Sequence, residues 1–258
     1  MRNRTRIITI LLVALSFSIK AQEINFHTQG EIEFEKRVNT FARLKWQVDS
    51  VNWVQRVSAL QAYLTNEEQF LVQKSTLVFN DSKSLFKPAV SNRNVALEYF
   101  GRDPLFSQVN VIEKNFDTQT SITQKDVLND FMVIKEPIKK IDWKFTDEVR
   151  DILGYQTRRA NAIVNDSIYV VAFYTDQITV SSGPENFGGL PGMILGLALP
   201  HENVSWFATK ITTTPAPETK FQFSPKGKNI SREELEKTVK ALRGDIVPKS
   251  VYLKGFLM

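Results

Sequence analysis

Apolar and polar residues alternate along GEIEFEKRV, residues 30–38. Ile32, Phe34 and Val38 fall on one side and Glu31, Glu33, Glu35 and Arg37 on the other. This predicts a half-buried strand whose apolar row is interrupted by Lys36. The period then changes. Val51, Val54, Val57, Leu60 and Leu64 recur at three- and four-residue steps, the pattern of one helix face. Phe70 to Phe79 reads as a strand again, and Asn80-Asp81-Ser82 as a turn. Further on, Val109, Val111 and Phe116, then Phe131, Val133 and Ile134, predict strands joined by a polar connection at 117–125. Residues 140–153 fit either a strand or a helical turn. SIYVVAFY, residues 167–174, is rich in β-branched and aromatic residues and predicts a strand, as does 204–211. A second helix is predicted over 231–242. There Ser231 and Glu234 have the spacing of a capping box, and Leu235, Val239 and Leu242 line one face.

Between two of these strands lies GPENFGGLPGMILG, residues 183–196. A P-loop would need Lys and a hydroxyl residue after its last glycine, but Met193 and Ile194 follow Gly192. A dinucleotide loop must open a helix, and Gly196 and Pro200 oppose one here. A nucleophile elbow needs G-x-S-x-G, which is absent. The stretch reads instead as a turn leading into a strand from Met193. In that strand Met193, Leu195, Leu197 and Leu199 face one way, and Ile194, Gly196 and Ala198 the other. The small Gly196 and Ala198 would let another element approach closely. If the loop also lines a binding site, its candidates are Tyr174, Asp176, Gly183, Pro184, Phe187, Gly188, Gly189, Leu190, Pro191 and Gly192. The ordinary role for Asp176 is an Asx-turn.

GGLPGMILGL resembles the signature of the GLPGLI family of exported Bacteroidetes proteins, with Met193-Ile194 where the signature has Leu-Ile. Ile152-Leu153-Gly154-Tyr155 is similar to the family's strand start. Phe173-Tyr174-Thr175 resembles its W-Y-T, and Gly183-Pro184 and Phe187-Gly188 match the residues before the signature. Gly30 to Glu35 looks like the opening strand of some members. The resemblance is specific from about 130 to 210. It implies an envelope protein rich in β structure, and it carries no reaction, ligand or catalytic residue. Asp49-Ser50-Val51 and Asp166-Ser167-Ile168 also resemble the short O-glycosylation signal of Bacteroidetes envelope proteins.

The first residues bear on location. Arg2, Arg4 and Arg6 precede an apolar run from Ile7 to Ile19, with Ala21 as a small residue for cleavage. Residues 1–21 are therefore expected to be a signal peptide, too short to span a bilayer comfortably. Of the 33 basic residues, four lie in that segment and no acidic ones do, which leaves 29 against 28 acidic, or +1. Nucleic-acid binding loses its electrostatic support at that charge. There is no cysteine, which excludes a lipid anchor on Cys, disulfides and thiolate metal sites.

Candidate chemistry is sparse. His27 and His201 are the two histidines, and His201-Glu202 has no second His four residues on. Glu67-Glu68, Asp147-Glu148 and Glu233-Glu234 are adjacent carboxylates, which point apart on a strand or suit a helix first turn. The basic pairs Arg158-Arg159, Lys139-Lys140 and Lys226/Lys228 read as solvated faces. No catalytic residue, metal site or cofactor is expected.

The expected fold is α+β and mainly β: a curved antiparallel sheet, half-barrel or bowl-like, with a few packed helices. Residues 22–258 are expected to form a single β-rich domain of the GLPGLI type. The expected location is the periplasm or outer-membrane face, with no membrane span after signal removal. Eighteen Phe suit an apolar ligand or a partner. The expected role is a non-enzymatic envelope accessory or binding protein, its partner an outer-membrane protein or an apolar or peptide ligand. The alternatives are a periplasmic hydrolase acting on peptide or glycan, and a structural envelope component.

Overall fold

The computed structural model describes residues 26–51, 54–89, 103–107, 110–127, 129–242 and 249–257. The expected signal peptide at 1–21 lies outside them. Among the described residues twelve strands form one sheet. They are β1 (Gly30–Asn39), β2 (Phe70–Phe79), β3 (Lys83–Pro88), β4 (Val111–Asn115), β5 (Thr120–Val127) and β6 (Asp130–Pro137), then β7 (Lys144–Ile152), β8 (Tyr155–Val164), β9 (Ile168–Thr175), β10 (Met193–Leu199), β11 (Val204–Thr212) and β12 (Lys228–Asn229). Their order is β12-β6-β5-β4-β3-β2-β1-β11-β10-β9-β8-β7. Two meanders, β2–β6 and β7–β11, are thus joined through β1. The sheet is mixed rather than wholly antiparallel, because the two-residue β12 runs parallel to β6. It is not closed: β12 and β7 are its two ends.

Five helices are described: α1 (Thr40–Val51), α2 (Val54–Asn66), α3 (Pro104–Ser107), α4 (Arg232–Ala241) and α5 (Lys249–Leu257). Among the described residues no helix is long and apolar enough to cross a membrane. α4 begins with the predicted capping box, Ser231 Oγ accepting from the Glu234 amide and the Glu234 carboxylate accepting from the Ser231 amide. Its Leu235 and Val239 pack on Val127, Met132 and Ile134 of the sheet and on Val251 and Phe256 of α5.

The apolar alternation of β1 is real. Ile32, Phe34 and Val38 are fully buried, each stabilising by about 1.5–3 kcal/mol relative to exposure. Lys36 does not break out of that row: it is buried with it. The polar stretch at 117–125 is not a connection. Most of it belongs to β5, whose alternating residues Ser121, Thr123, Lys125 and Val127 point inward. α1 went unpredicted for the same reason. Its buried face carries Thr40, Arg43 and Gln47 beside Leu44 and Val48, so half of the stripe is polar. Residues 140–153 resolve into the strand β7. Ile152 to Tyr155 is the hairpin turn from which β8 starts at Tyr155, with Leu153 and Gly154 both at positive φ. In α2 Leu60 is buried as predicted, whereas Val57 is exposed.

Candidate functional site

The glycine-proline stretch packs inside the molecule. Gly183, Pro184, Phe187, Gly188, Leu190 and Gly192 are buried, while Gly189 and Pro191 are exposed. The chain here needs residues without side chains. Gly192 has φ 135°, and a Cβ on it would lie 2.1 Å from the Thr175 carbonyl oxygen. A Cβ on Gly183 would stand 2.7 Å from Ile194 Cβ. At Gly196 the expected close approach is made by Phe207, whose ring would meet a Cβ at 2.8 Å. Met193 then enters β10 with its amide donating to the Ile178 carbonyl.

The loop is held by groups from distant strands. The Lys114 ammonium donates to the Phe187 carbonyl at 2.6 Å, and Trp143 Nε1 donates to the Gly188 carbonyl at 2.9 Å. Ser84 and Ser182 share a hydroxyl hydrogen bond at 2.9 Å. Asn110 Nδ2 donates to Glu185 Oε2 at 2.8 Å. Tyr174 lies buried in the core, edge-on to Phe145. Asp176 is apart from this packing: it is exposed, and its carboxylate lies 3.7 Å from Arg158. The structure thus gathers Tyr174 and most of the loop into the core and leaves Asp176 in solvent.

Three lysines on the same inner face were hidden from the hydrophobic pattern: Lys36, Lys114 and Lys125, all buried. Burial pushes Lys114 down to about 7 and Lys125 down to about 8. Burial also lowers Lys36, against the pull of the Glu185 and Asp103 carboxylates. The Lys36 ammonium sits 5.4 Å from the Trp206 ring centre. A second buried set joins α1 to the C-terminal half. Arg43 pairs with Asp103 and Glu202, Gln47 donates to Asp103, and Lys254 of α5 pairs with Glu202.

A cleft of about 590 Å³ opens where the end of β6 meets the β8–β9 turn under α4 and α5. Glu136 and Lys139 lie along one side, Asn165 and Ser167 along the other, with Arg232, Glu236 and Lys254 from the helices. Arg232 forks onto Glu136 through Nε and Nη2. The Lys139 ammonium donates to Asn165 Oδ1 at 2.7 Å. Burial lowers its pKa, and the Arg232 charge lowers it further against the pull of the Glu136 carboxylate. Of the pair Lys139-Lys140, only Lys140 is solvated; Lys139 is half-buried. Ser167, the second serine of the glycosylation-like triplets, is exposed on the β8–β9 turn. The side chain of Ser50 lies outside the described residues. His27 and His201 sit apart, edge-on to Tyr155 and beside Tyr169 respectively. Among the described residues no group of His, Asp and Glu is arranged to hold a metal.

A family model described as "Protein of unknown function (Porph_ging)" matches residues 161–196, the stretch from β8 through the loop into β10. These include the signature residues of the resemblance drawn above. No curated protein matches the chain. A solved structure of PNGF-II in a C2 space group is similar with a TM-score of 0.50 at 15% identity, over 79% of this chain and 31% of that one. PNGF-II in a P21 space group gives 0.48 at 16% identity, over 79% and 32%. An uncharacterized conserved protein from Thermus thermophilus gives 0.38 at 8% identity, over 82% and 98%. The first of these is a likeness of fold. The chain spans about a third of the length of the PNGF-II chains it matches.

Proposed function

We propose that the protein is a non-enzymatic binding or accessory protein of the cell envelope, and that its ligand sits in the cleft between β6, the β8–β9 turn, α4 and α5. The observation that carries this reading is the cleft itself. Its volume of about 590 Å³ lies within the range of small-molecule sites, and charged and amide groups from four elements converge on it. A curved, half-barrel or bowl-like course of the sheet fits the contacts that run across it. These include Lys139 to Asn165 and Lys114 to Phe187. In this reading the glycine-proline loop is packing that shapes the interior. The N-terminal signal pattern supports export.

The free end of the sheet gives less support to partner docking by strand addition. β7 is interrupted between Phe145 and Val149, and Glu148 there pairs with Arg150 and Arg159. A bulge and charges of this kind blunt an edge. The hydrolase reading has Asp176 as its candidate, and that carboxylate stands in solvent beside Arg158. A purely structural role needs no cleft.

Native mass spectrometry of the protein purified from its own cells tests the proposal. A small mass is expected to co-purify with the unaltered chain and to be absent from a Ser167→Trp variant, whose indole would fill the cleft mouth. Equal retention of that mass by both proteins would rule the cleft out as its seat.

A further inference from the structure

We infer that the cleft recognises a carboxylate, held between the Lys139 ammonium and the Arg232 guanidinium. The inference rests on the cleft being the ligand seat and adds the chemistry of what fills it. It starts from an imbalance of charge. Arg232 is neutralised by the fork onto Glu136, and Lys254 by buried Glu202. Lys240 pairs with Glu236 along α4. Lys139 is different: its hydrogen bond goes to a neutral amide, Asn165 Oδ1.

Its ammonium is nevertheless half-buried, repelled by Arg232 and attracted by Glu136, the carboxylate that Arg232 already engages. Behind the wall, buried Lys125 feels both Arg232 and Lys139 as repulsive and Glu136 and Glu185 as attractive. Two cations share the one Glu136 carboxylate at the cleft, with a third cation behind them, and a further anion would relieve the remaining repulsion. A structural tie between the segment after β6 and the β8–β9 turn could be made by a neutral side chain. An ammonium is not needed for it.

The size of the imbalance selects the anion. Of the cations in the cleft lining, Arg232 is paired with Glu136, Lys240 with Glu236 and Lys254 with Glu202, whereas the hydrogen bond of Lys139 goes to an amide. A single such cation suits the single charge of a carboxylate, and the lining acids Glu136, Asp166 and Glu236 would repel a phosphate dianion. Arg232 supplies planar donors and Lys139 a point charge, a pairing that fits a carboxylate with one oxygen toward each. The carboxylate could belong to a sugar acid or to a peptide C-terminus.

The test uses the full chain and five probes: glucuronate, glucose, N-acetyl-alanyl-alanine, its C-terminal amide, and inorganic phosphate. Affinity is read by calorimetry, and position by the amide NMR shifts of Asn165, Ser167 and Ile168. At least one of the two acids is expected to move these amides and to bind about tenfold or more tighter than its neutral counterpart, the value of a charge-assisted hydrogen bond. Which acid binds identifies the source. Lys139→Met is expected to remove that preference while leaving the unfolding midpoint close to that of the parent. A neutral probe that binds as tightly as its acid would overturn the carboxylate assignment and leave the cleft as a ligand seat. Phosphate binding tighter than both acids would overturn it too. If none of the five moves the three amides, the cleft reading falls together with the inference.

Discussion

The ammonium of Lys114 on β4 lies 2.6 Å from the carbonyl oxygen of Phe187, seventy-three positions away, and both groups are buried. That bond docks the glycine-proline loop onto the inner face of the sheet, and it places a cation where water does not reach. Lys114 pays for this position in proton affinity, and Lys125 on the adjacent strand β5 does so as well.

Stability should therefore rise with pH. Lys114 is held near 7 and Lys125 near 8 in the folded state, against an ordinary 10.5. Between those values and about 10.5 the unfolded chain binds more protons than the folded one, so deprotonation favours folding. Each lysine adds up to ~1.4 kcal/mol per pH unit in its window. Urea unfolding midpoints are expected to climb from about pH 7 to about pH 9, and less steeply for Lys114→Met. A flat profile in the parent protein would show these lysines to be solvated.

Two glycines of one loop should respond differently to alanine. At Gly192 a Cβ would collide with the Thr175 carbonyl at 2.1 Å, whereas at Gly189 nothing lies closer than Trp143 Nε1 at 3.8 Å. Gly192→Ala is expected to cost about 3 kcal/mol or more, and Gly189→Ala about 1 kcal/mol from its positive φ alone. Chemical denaturation of the two variants side by side measures the difference.

Removing the guanidinium of Arg43 leaves the Asp103 and Glu202 carboxylates buried without it. Arg43→Met is expected to destabilise by about 3–5 kcal/mol. Adding Asp103→Asn should recover part of that loss, since the second change removes one of the two carboxylates left without its cation. A double-mutant cycle on unfolding free energies reads the coupling, and strictly additive losses would argue against a shared network.

The start of α4 offers a smaller effect. Ser231→Ala should cost about 1 kcal/mol, and Glu234→Ala a comparable amount. Because the two side chains cap each other's backbone amides, the double variant should lose less than the sum. Thermal unfolding of the three proteins measures this.

Much of the fold was legible along the chain, and the reason is burial. Where one face of an element is apolar, as at Ile32, Phe34 and Val38 or at Leu235 and Val239, hydrophobic periodicity names the element. The signature at 189–194 and the capping box are local patterns, and both were read correctly in their local sense. The amino-acid sequence by itself determined a β-rich chain without cysteine, with a glycine-proline turn that leads into an apolar strand. Tertiary structure alone decided the rest. Lys36, Lys114, Lys125, Arg43 and Asp103 are polar by every local measure, and their burial depends on partners 60 or more positions away, as for Arg43 with Asp103. The cleft has the same origin. Lys139 and Arg232 are 93 positions apart in the chain, and neither signals a site alone. Electrostatic pairing acts through space, so no period along the chain records it. Only the return of the β8–β9 turn and α4 to the end of β6 brings those charges together.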